Sequence, residues 1–192
     1  MGKENKSRYA LLGMLSLAPL SGYDLKKLSE YSIGHFWHES YPQIYPMLKQ
    51  LANEGLATSQ VEQQEGKPDR YVYTLTEMGW DVLRQWLTAP FEYQVERNEL
   101  LLKLFFGSLI QIPVSIEHVR RHRAMQERLI HVYEQTEAEL RATREQDPRH
   151  LYWLMTLSYG RHIAHALLDW CDETLTTLEH MAQDAQKNTE QI

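Results

Sequence analysis

The amino-acid sequence predicts a mainly α-helical fold: an N-terminal winged helix-turn-helix with a two-stranded wing, followed by a C-terminal all-α dimerisation domain of long helices. Three observations predict it. Short helices, two β-type runs and a further helix follow one another over residues 1–90. Residues 91–192 carry almost only helical periodicity. The junction before them ends at Pro90, where a helix cannot continue, so we place the domain boundary there.

The helices of the first part begin and end at local signals. The apolar run 9–17 predicts a first helix, which ends before Pro19. Ser21 and Asp24 match the capping-box pattern, in which each side chain accepts a backbone N–H from the other, so a second helix begins at Ser21. A third begins near Ser40 and ends at Gly55, since glycine tolerates the left-handed backbone that follows a helix.

A hairpin and a fourth helix complete the first part. The runs 56–63 and 70–76 are β-type and bracket a turn-rich segment, which predicts two antiparallel strands. Thr76 is placed to cap a fourth helix that reaches about Leu87. Three helices, a hairpin and a helix, in that order, are the layout of a winged helix-turn-helix.

Three long helices are expected in the second part, over residues 96–110, 113–146 and 147–186. Asp147 and Pro148 supply the N-cap and the first-turn proline for the last one. Its apolar residues recur at alternating spacings of three and four, a heptad seam interrupted by Arg161. The seam could pack on 113–146 or on a second copy, and we expect both. Its members are Leu154, Leu157, Ala164, Leu168, Cys171, Leu175 and Leu178.

The third helix carries the most informative surface. Ile44, Leu48 and Leu51 share one face, which must pack inwards. The opposite face is polar and, apart from Lys49, uncharged. Glutamine amides can read adenine in the major groove, and tyrosine hydroxyls and lysine suit phosphates. An amphipathic core helix with a plain polar surface is the alternative. The candidate DNA contacts on this helix are Tyr41, Gln43, Tyr45, Lys49 and Gln50.

Two prolines lie in this same segment. Pro42 falls in the first turn, where a backbone N–H has no intrahelical partner. Pro46 lies one turn deeper, so we expect either a local distortion or a regular helix that begins slightly after Ser40.

These motifs resemble those of the PadR family of transcriptional regulators. The resemblance rests on SGYDLKKL at 21–28, IGHFWHESYPQIYPMLKQLANEGL at 33–56 and EGKPDRYVYTLTEMG at 65–79. It covers about 80 residues, as the quoted motifs show. The helical second half resembles the larger PadR subfamily, including the branch related to the virulence activator AphA, in layout alone. Family members often have glycine where this chain has Pro42.

The resemblance implies a winged-helix homodimer that represses, or sometimes activates, transcription from a palindromic operator. The recognition helix is then 40–54 and the wing is the hairpin 57–75. On the wing, Lys67 and Arg70 are expected to contact phosphates. Ser21 and Tyr23 are expected to add a phosphate contact at the second helix N-terminus, where free N–H groups favour anions.

Some family members sense aromatic or multidrug-like molecules. By that analogy Phe106 and Trp153 are candidates to line a pocket for a small effector, with ordinary packing of the helical domain as the alternative. A helical interaction protein that does not bind DNA is the alternative for the whole chain.

Other classes find little support. No P-loop, nucleophile elbow or dinucleotide fingerprint is present, so we expect neither an enzyme nor a cofactor. The pairs His118/His122 and His162/His165 lack a zinc motif, so we expect no metal site. The run 120–123 is more typical of a solvated helix face than of a DNA contact. The sequence contains no run of about 18 apolar residues, so we expect no membrane span.

The overall charge argues mildly against a general polyanion binder and does not decide between these classes. The net charge of −6 is unevenly spread. Residues 1–90 hold 9 Lys and Arg against 10 Asp and Glu, and residues 91–192 hold 11 against 16. A local basic face thus remains possible in the first part. The lone Cys171 cannot form an internal disulfide, which fits a reducing cytoplasm.

Overall fold

The computed structural model describes residues 5–34, 36–37, 41–63, 69–93, 97–143 and 147–190. The predicted helix start at Ser40 and the predicted wing cation Lys67 therefore lie outside the described residues. The chain divides into two compact units, residues 1–93 and 94–192. Among the described residues, no helix is long and apolar enough to cross a membrane.

The first unit is a winged helix-turn-helix, as predicted. Its core is made by the inner faces of the helices and the hairpin, and Ile44, Leu48 and Leu51 are at most 1% exposed, as the helical periodicity requires. The elements are α1 (Ser7–Leu15), β1 (Leu20–Ser21), α2 (Gly22–Ser32), α3 (Tyr41–Asn53), β2 (Ala57–Glu62), β3 (Arg70–Leu75) and α4 (Glu77–Thr88).

The predicted caps are present. The Ser21 hydroxyl oxygen accepts the N–H of Asp24 at 3.3 Å, and the Asp24 carboxylate accepts the N–H of Ser21 at 2.9 Å. Thr76 accepts the N–H of Gly79 at 3.1 Å. Gly55 has a φ of 73°, and the N–H of Leu56 bonds to the carbonyl of Leu51 at 2.9 Å, closing α3 with a Schellman motif.

The sheet contains a third strand that the sequence did not predict. Its order is β1-β3-β2, all antiparallel, and β1 contributes only the pairs Leu20↔Tyr73 and Ser21↔Val72. An N-cap residue is extended, here with φ −83° and ψ 166° at Ser21. The residue that caps α2 is therefore already in the conformation that pairs with a strand.

The second unit is helical and consists of α5 (Glu99–Phe105), a 3-10 turn (Gly107–Leu109), α6 (Ile112–Thr143) and α7 (His150–Glu190). The predicted start of α7 at Pro148 is wrong by two residues. The Asp147 carboxylate accepts the N–H of Arg149 at 2.9 Å, and this local turn precedes the helix.

The heptad seam of α7 packs on α6 of the same chain. Ala164 and Cys171 are 2% and 0% exposed, and Leu157 and Leu168 pack against Ile130 and Tyr133. Packing on α6, one of the two contacts expected of the seam, is therefore present. The remaining seam leucines are only half-buried, and the part of the seam in a dimer stays a prediction.

Arg161 interrupts the seam because it has an acceptor on α6. Its Nη1 donates to Glu137 Oε2 at 3.0 Å. Glu137 also accepts from Arg141 at 2.8 Å. The hydrogen bond from Arg141 holds the pKa of Glu137 below its usual value, and the charges of Arg161 and Arg141 add to this against the opposing effect of burial. The charged position in an apolar stripe is thus a satisfied ion pair between α6 and α7.

Candidate nucleic-acid interface

The outer face of α3 is exposed and mostly uncharged. Gln43, Tyr45, Lys49 and Gln50 all lie on it, opposite the buried Ile44 stripe. Tyr41 is the first residue of the helix. Gln50 is already occupied, since its amide donates to Glu54 at 2.7 Å. Lys49 forms no ion pair with any residue that the structure describes. Gln43 and Lys49 are therefore available to a ligand.

The two prolines are accommodated without ending the helix. Pro42 is the second residue of α3, and Pro46 lies inside it. Because Pro46 has no N–H, the carbonyl of Pro42 receives no hydrogen bond from that position. The first turn of α3 is thus held by few of its own backbone bonds, and it depends on the packing of its inner face.

A hollow of about 810 Å³ lies between α3, the N-terminus of α2 and the hairpin of β2 and β3. The structure brings together five of the predicted DNA contacts around it, although they are scattered over 50 residues of sequence. These five are Ser21, Tyr23, Tyr45, Lys49 and Arg70.

Gly22 allows α2 and α3 to approach each other at one side of this hollow. A Cβ built at position 22 would lie 2.6 Å from Cε1 of Tyr45. A larger residue there would displace the Tyr45 ring from the first turn of α2. The sequence analysis missed this contact, for which a glycine in the first turn of an otherwise ordinary helix was the available signal.

Ser21 is a cap residue with little surface left for a ligand. It is 4% exposed, and its hydroxyl donates to the Asp24 carboxylate at 2.7 Å. Tyr23 is more open: 53% of it is exposed, with the Lys27 ammonium 4.7 Å from its ring centre. Of the two predicted contacts at this helix N-terminus, Tyr23 is therefore the accessible one.

Arg70 is engaged within the protein. Its Nη2 donates to Asp24 Oδ2 at 2.5 Å, and its Nε lies 3.9 Å from Glu62 Oε2. Burial pushes the pKa of Asp24 up, but the hydrogen bonds from Ser21 and the charge and hydrogen bond of Arg70 outweigh that and leave the pKa below its usual value. Asp24 was predicted only as a cap, and its second role depends on a residue 46 positions away.

The second unit has a separate apolar cavity of about 1000 Å³, lined mainly by Leu104, Ile110, Ile112, Leu178, Met181 and Ala182. Phe106 is 53% exposed and does not line it. Trp153 lies in the first turns of α7, 25 residues before Leu178 and therefore about 38 Å away along the helix axis. One chain does not bring Phe106 and Trp153 together, and the effector pocket stays a prediction.

The basic run on α6 is neutralised by ion pairs. Arg120 binds Glu179 at 2.8 Å, Arg121 binds Glu117 at 2.6 Å, and Arg123 binds Asp172. These contacts favour the solvated-face interpretation over a DNA contact. Within the described ranges, no three His, Cys, Asp or Glu side chains are grouped to hold a metal ion.

Two family models match the chain, one in each unit. Residues 11–85 match the transcriptional regulator PadR-like family, and residues 96–179 match the virulence activator alpha C-term family. The negative transcriptional regulator PadR of Bacillus subtilis is 38% identical over 105 residues, which are 54% of this chain. The matched segment spans 57% of that relative, a little over half of its length.

Solved structures of similar fold cover nearly the whole chain. Bacillus subtilis PadR in complex with operator DNA superposes with a TM-score of 0.78 at 24% identity, covering 91% of this chain and 99% of that one. The same protein in complex with p-coumaric acid gives a TM-score of 0.72, at the same identity and coverage. The Vibrio cholerae virulence activator AphA gives 0.71 at 27% identity, covering 91% and 98%. The chain thus joins a PadR-like domain at residues 11–85 to a domain of the virulence activator alpha C-term family at residues 96–179, a combination that supports a PadR-family regulator of the larger subfamily that includes AphA.

Proposed function

We propose that this protein is a homodimeric, sequence-specific DNA-binding repressor that acts on a palindromic operator. The observation that carries the proposal is the exposed outer face of α3, where Gln43 and Lys49 stand free of described partners. The Gln43 amide reads a base edge, and Lys49, Tyr45 and Tyr23 hold phosphates around it. We keep Tyr41 and Lys67 in the proposed phosphate-contacting set on the grounds of the sequence motifs.

The dimer is proposed from a second apolar face of α7. Leu151, Met155 and Tyr159 recur every four residues on the side away from α6, and each is more than 60% exposed. Leu102, Phe105 and Leu109 of the α5 region are at least 60% exposed as well. An apolar stripe of this extent is typical of an interface, and a two-fold axis would set two copies of α3 into successive major grooves.

Repression rather than activation is proposed because the Bacillus subtilis relative is a negative regulator. We further propose that a small aromatic molecule controls the dimer, since that relative has been crystallised with p-coumaric acid. Phe106 and Trp153 stay the proposed pocket residues on the grounds of the family analogy. We propose no catalytic role and no cofactor, and a cytoplasmic location.

The test is selection of bound sequences from a pool of random duplexes, followed by anisotropy titration of the recovered sites. Enrichment of a palindrome with half-sites about one helical turn apart is expected. Addition of p-coumaric acid to the complex tests the effector. If a folded dimer enriched no sequence and bound no DNA at low salt, the interaction-protein alternative would replace this proposal.

A further inference from the structure

Arg70 lies between two carboxylates at the start of the wing. Its Nη2 donates to Asp24 on α2 at 2.5 Å, and its Nε faces Glu62, its cross-strand neighbour on β2, at 3.9 Å. The Nε is buried and has no hydrogen-bond acceptor in the described part of the chain. The Arg70 guanidinium therefore has two neighbouring carboxylates, one on α2 and one on β2.

Asp24 is the centre of this arrangement. One of its oxygens, Oδ2, accepts from the Ser21 N–H at 2.9 Å, from the Ser21 hydroxyl at 2.7 Å and from Arg70. Ser21 in turn belongs to β1, which pairs with β3 through only two residues. The Asp24–Arg70 ion pair therefore adds a side-chain contact to a strand pairing that is only two residues long.

A phosphate contact would require Arg70 to leave this position. Asp24 is largely covered, with 27% of its side chain exposed, and it would keep only the two bonds from Ser21. Both side chains are partly exposed, Arg70 by 38% and Asp24 by 27%, so the cost of separating them is the charge-assisted hydrogen bond that is lost. Lys49, by contrast, lines the same hollow with no ion pair to a described residue, so it can meet a phosphate without breaking anything.

We propose that Arg70 is a positioning residue, which fixes the wing hairpin to the first turn of α2 through Asp24 and does not itself bind a DNA phosphate. The inference rests on the proposed DNA-binding function. It reverses the role that the sequence motif suggested for Arg70. The position of the wing then depends on an ion pair within the protein, and Lys49 is the described cation left to bind a phosphate at this hollow.

The direction in which Asp24→Asn changes the DNA affinity distinguishes a positioning role of Arg70 from phosphate binding by Arg70. Asp24→Asn keeps an oxygen that can accept the Ser21 N–H, but it loses the charge that holds Arg70. If Arg70 positions the wing, Asp24→Asn and Arg70→Gln each weaken binding of a selected duplex by about tenfold, and the double variant is no weaker than the poorer single one. If Arg70 binds phosphate, Asp24→Asn removes a negative charge, frees the guanidinium and tightens binding.

Three further variants serve as controls for charge and folding. Glu62→Gln leaves the cap of α2 untouched, and we expect it to bind no tighter than the parent. The exposed pair Arg84–Asp81 on α4, 2.7 Å apart, gives matched charge controls outside the hollow. Asp81→Asn and Arg84→Gln should change the affinity by less than about twofold. Circular dichroism gives the folded fraction of every variant, and a stoichiometric titration with duplex gives its DNA-binding fraction.

Tighter binding by Asp24→Asn or Glu62→Gln, or parental binding by Arg70→Gln, would overturn the inference while leaving DNA binding intact. Failure of the parent protein to bind any duplex would overturn the proposed function and this inference with it. Weaker DNA binding by both Asp24→Asn and Arg70→Gln, with a double variant that binds no more weakly than the poorer single one, supports the positioning role.

Discussion

Gly160 of α7 faces the phenol ring of Tyr133 on α6 so closely that a Cβ built at position 160 would lie 2.7 Å from Cζ of the ring. Tyr133 is only 5% exposed. Its ring occupies the space that a side chain at position 160 would need, and the two helices approach each other at this point because one of them has no side chain.

We expect Gly160→Ala to destabilise the second unit by about 1–3 kcal/mol, the usual cost of overpacking a filled core, despite the better helix propensity of alanine. Gly13→Ala is the matched control, since nothing lies within 4 Å of a Cβ built at that helical position. It should be neutral or stabilising by up to about 1 kcal/mol. Urea unfolding followed by circular dichroism measures both, and equal effects would contradict the close contact.

The exposed stripe of α7 predicts an effect on assembly. Met155 is 62% exposed, and in the proposed dimer it becomes covered. Met155→Glu would bury an unpaired charge there, which costs several kcal/mol, so we expect at least about a hundredfold weaker dimer. Thr156→Glu, at the next and also exposed position, is the control and should stay dimeric. Sedimentation velocity over a concentration series distinguishes them, and a dimeric Met155→Glu protein would rule this face out.

His122 predicts a pH dependence of stability. It is half-buried, within 3.3 Å of the Gln126 amide, and burial lowers its pKa. The unfolded chain therefore binds a proton more readily than the folded chain below about pH 6.5, the usual histidine value. We expect the free energy of unfolding to decrease as the pH falls below that value, and His122→Gln to lessen the decrease. The exposed His131→Gln is the control, and identical pH profiles for both variants would argue against this role.

Substitutions of Lys49 and of Gln43 should have different effects on the salt dependence of DNA binding. If Lys49 binds a phosphate, Lys49→Gln lowers the slope of log affinity against log salt by about 0.9. Gln43→Ala should leave that slope unchanged and reduce discrimination at one base by about 1–3 kcal/mol. Anisotropy titrations at several salt concentrations, on a selected site and on single-base variants, measure both quantities. A parental slope for Lys49→Gln would remove it from the interface.

Local interactions explain what could be predicted from the sequence. The caps at Ser21, Gly55 and Thr76 involve partners within five residues or are imposed by backbone geometry, so short motifs identify them. Strand β1 could not be found in this way, because its partner lies about 50 residues away in β3. The Asp24–Arg70 link is missed for the same reason.

The seam of α7 illustrates a different limit. Its periodicity shows that one face is apolar, but not which surface covers that face. In the structure, α6 of the same chain covers it. The stripe of Leu151, Met155 and Tyr159, which the structure leaves exposed, was not singled out from the sequence, because periodicity alone does not distinguish an exposed apolar face from a covered one.

The contact between Gly22 and the Tyr45 ring constrains how this interface can evolve. Since no Cβ fits at position 22 while the ring is in place, the two positions cannot vary independently. A lineage that gains a side chain at position 22 must either turn the ring away from α2 or shorten the residue at position 45. Among homologues the sizes of these two residues should therefore tend to covary inversely.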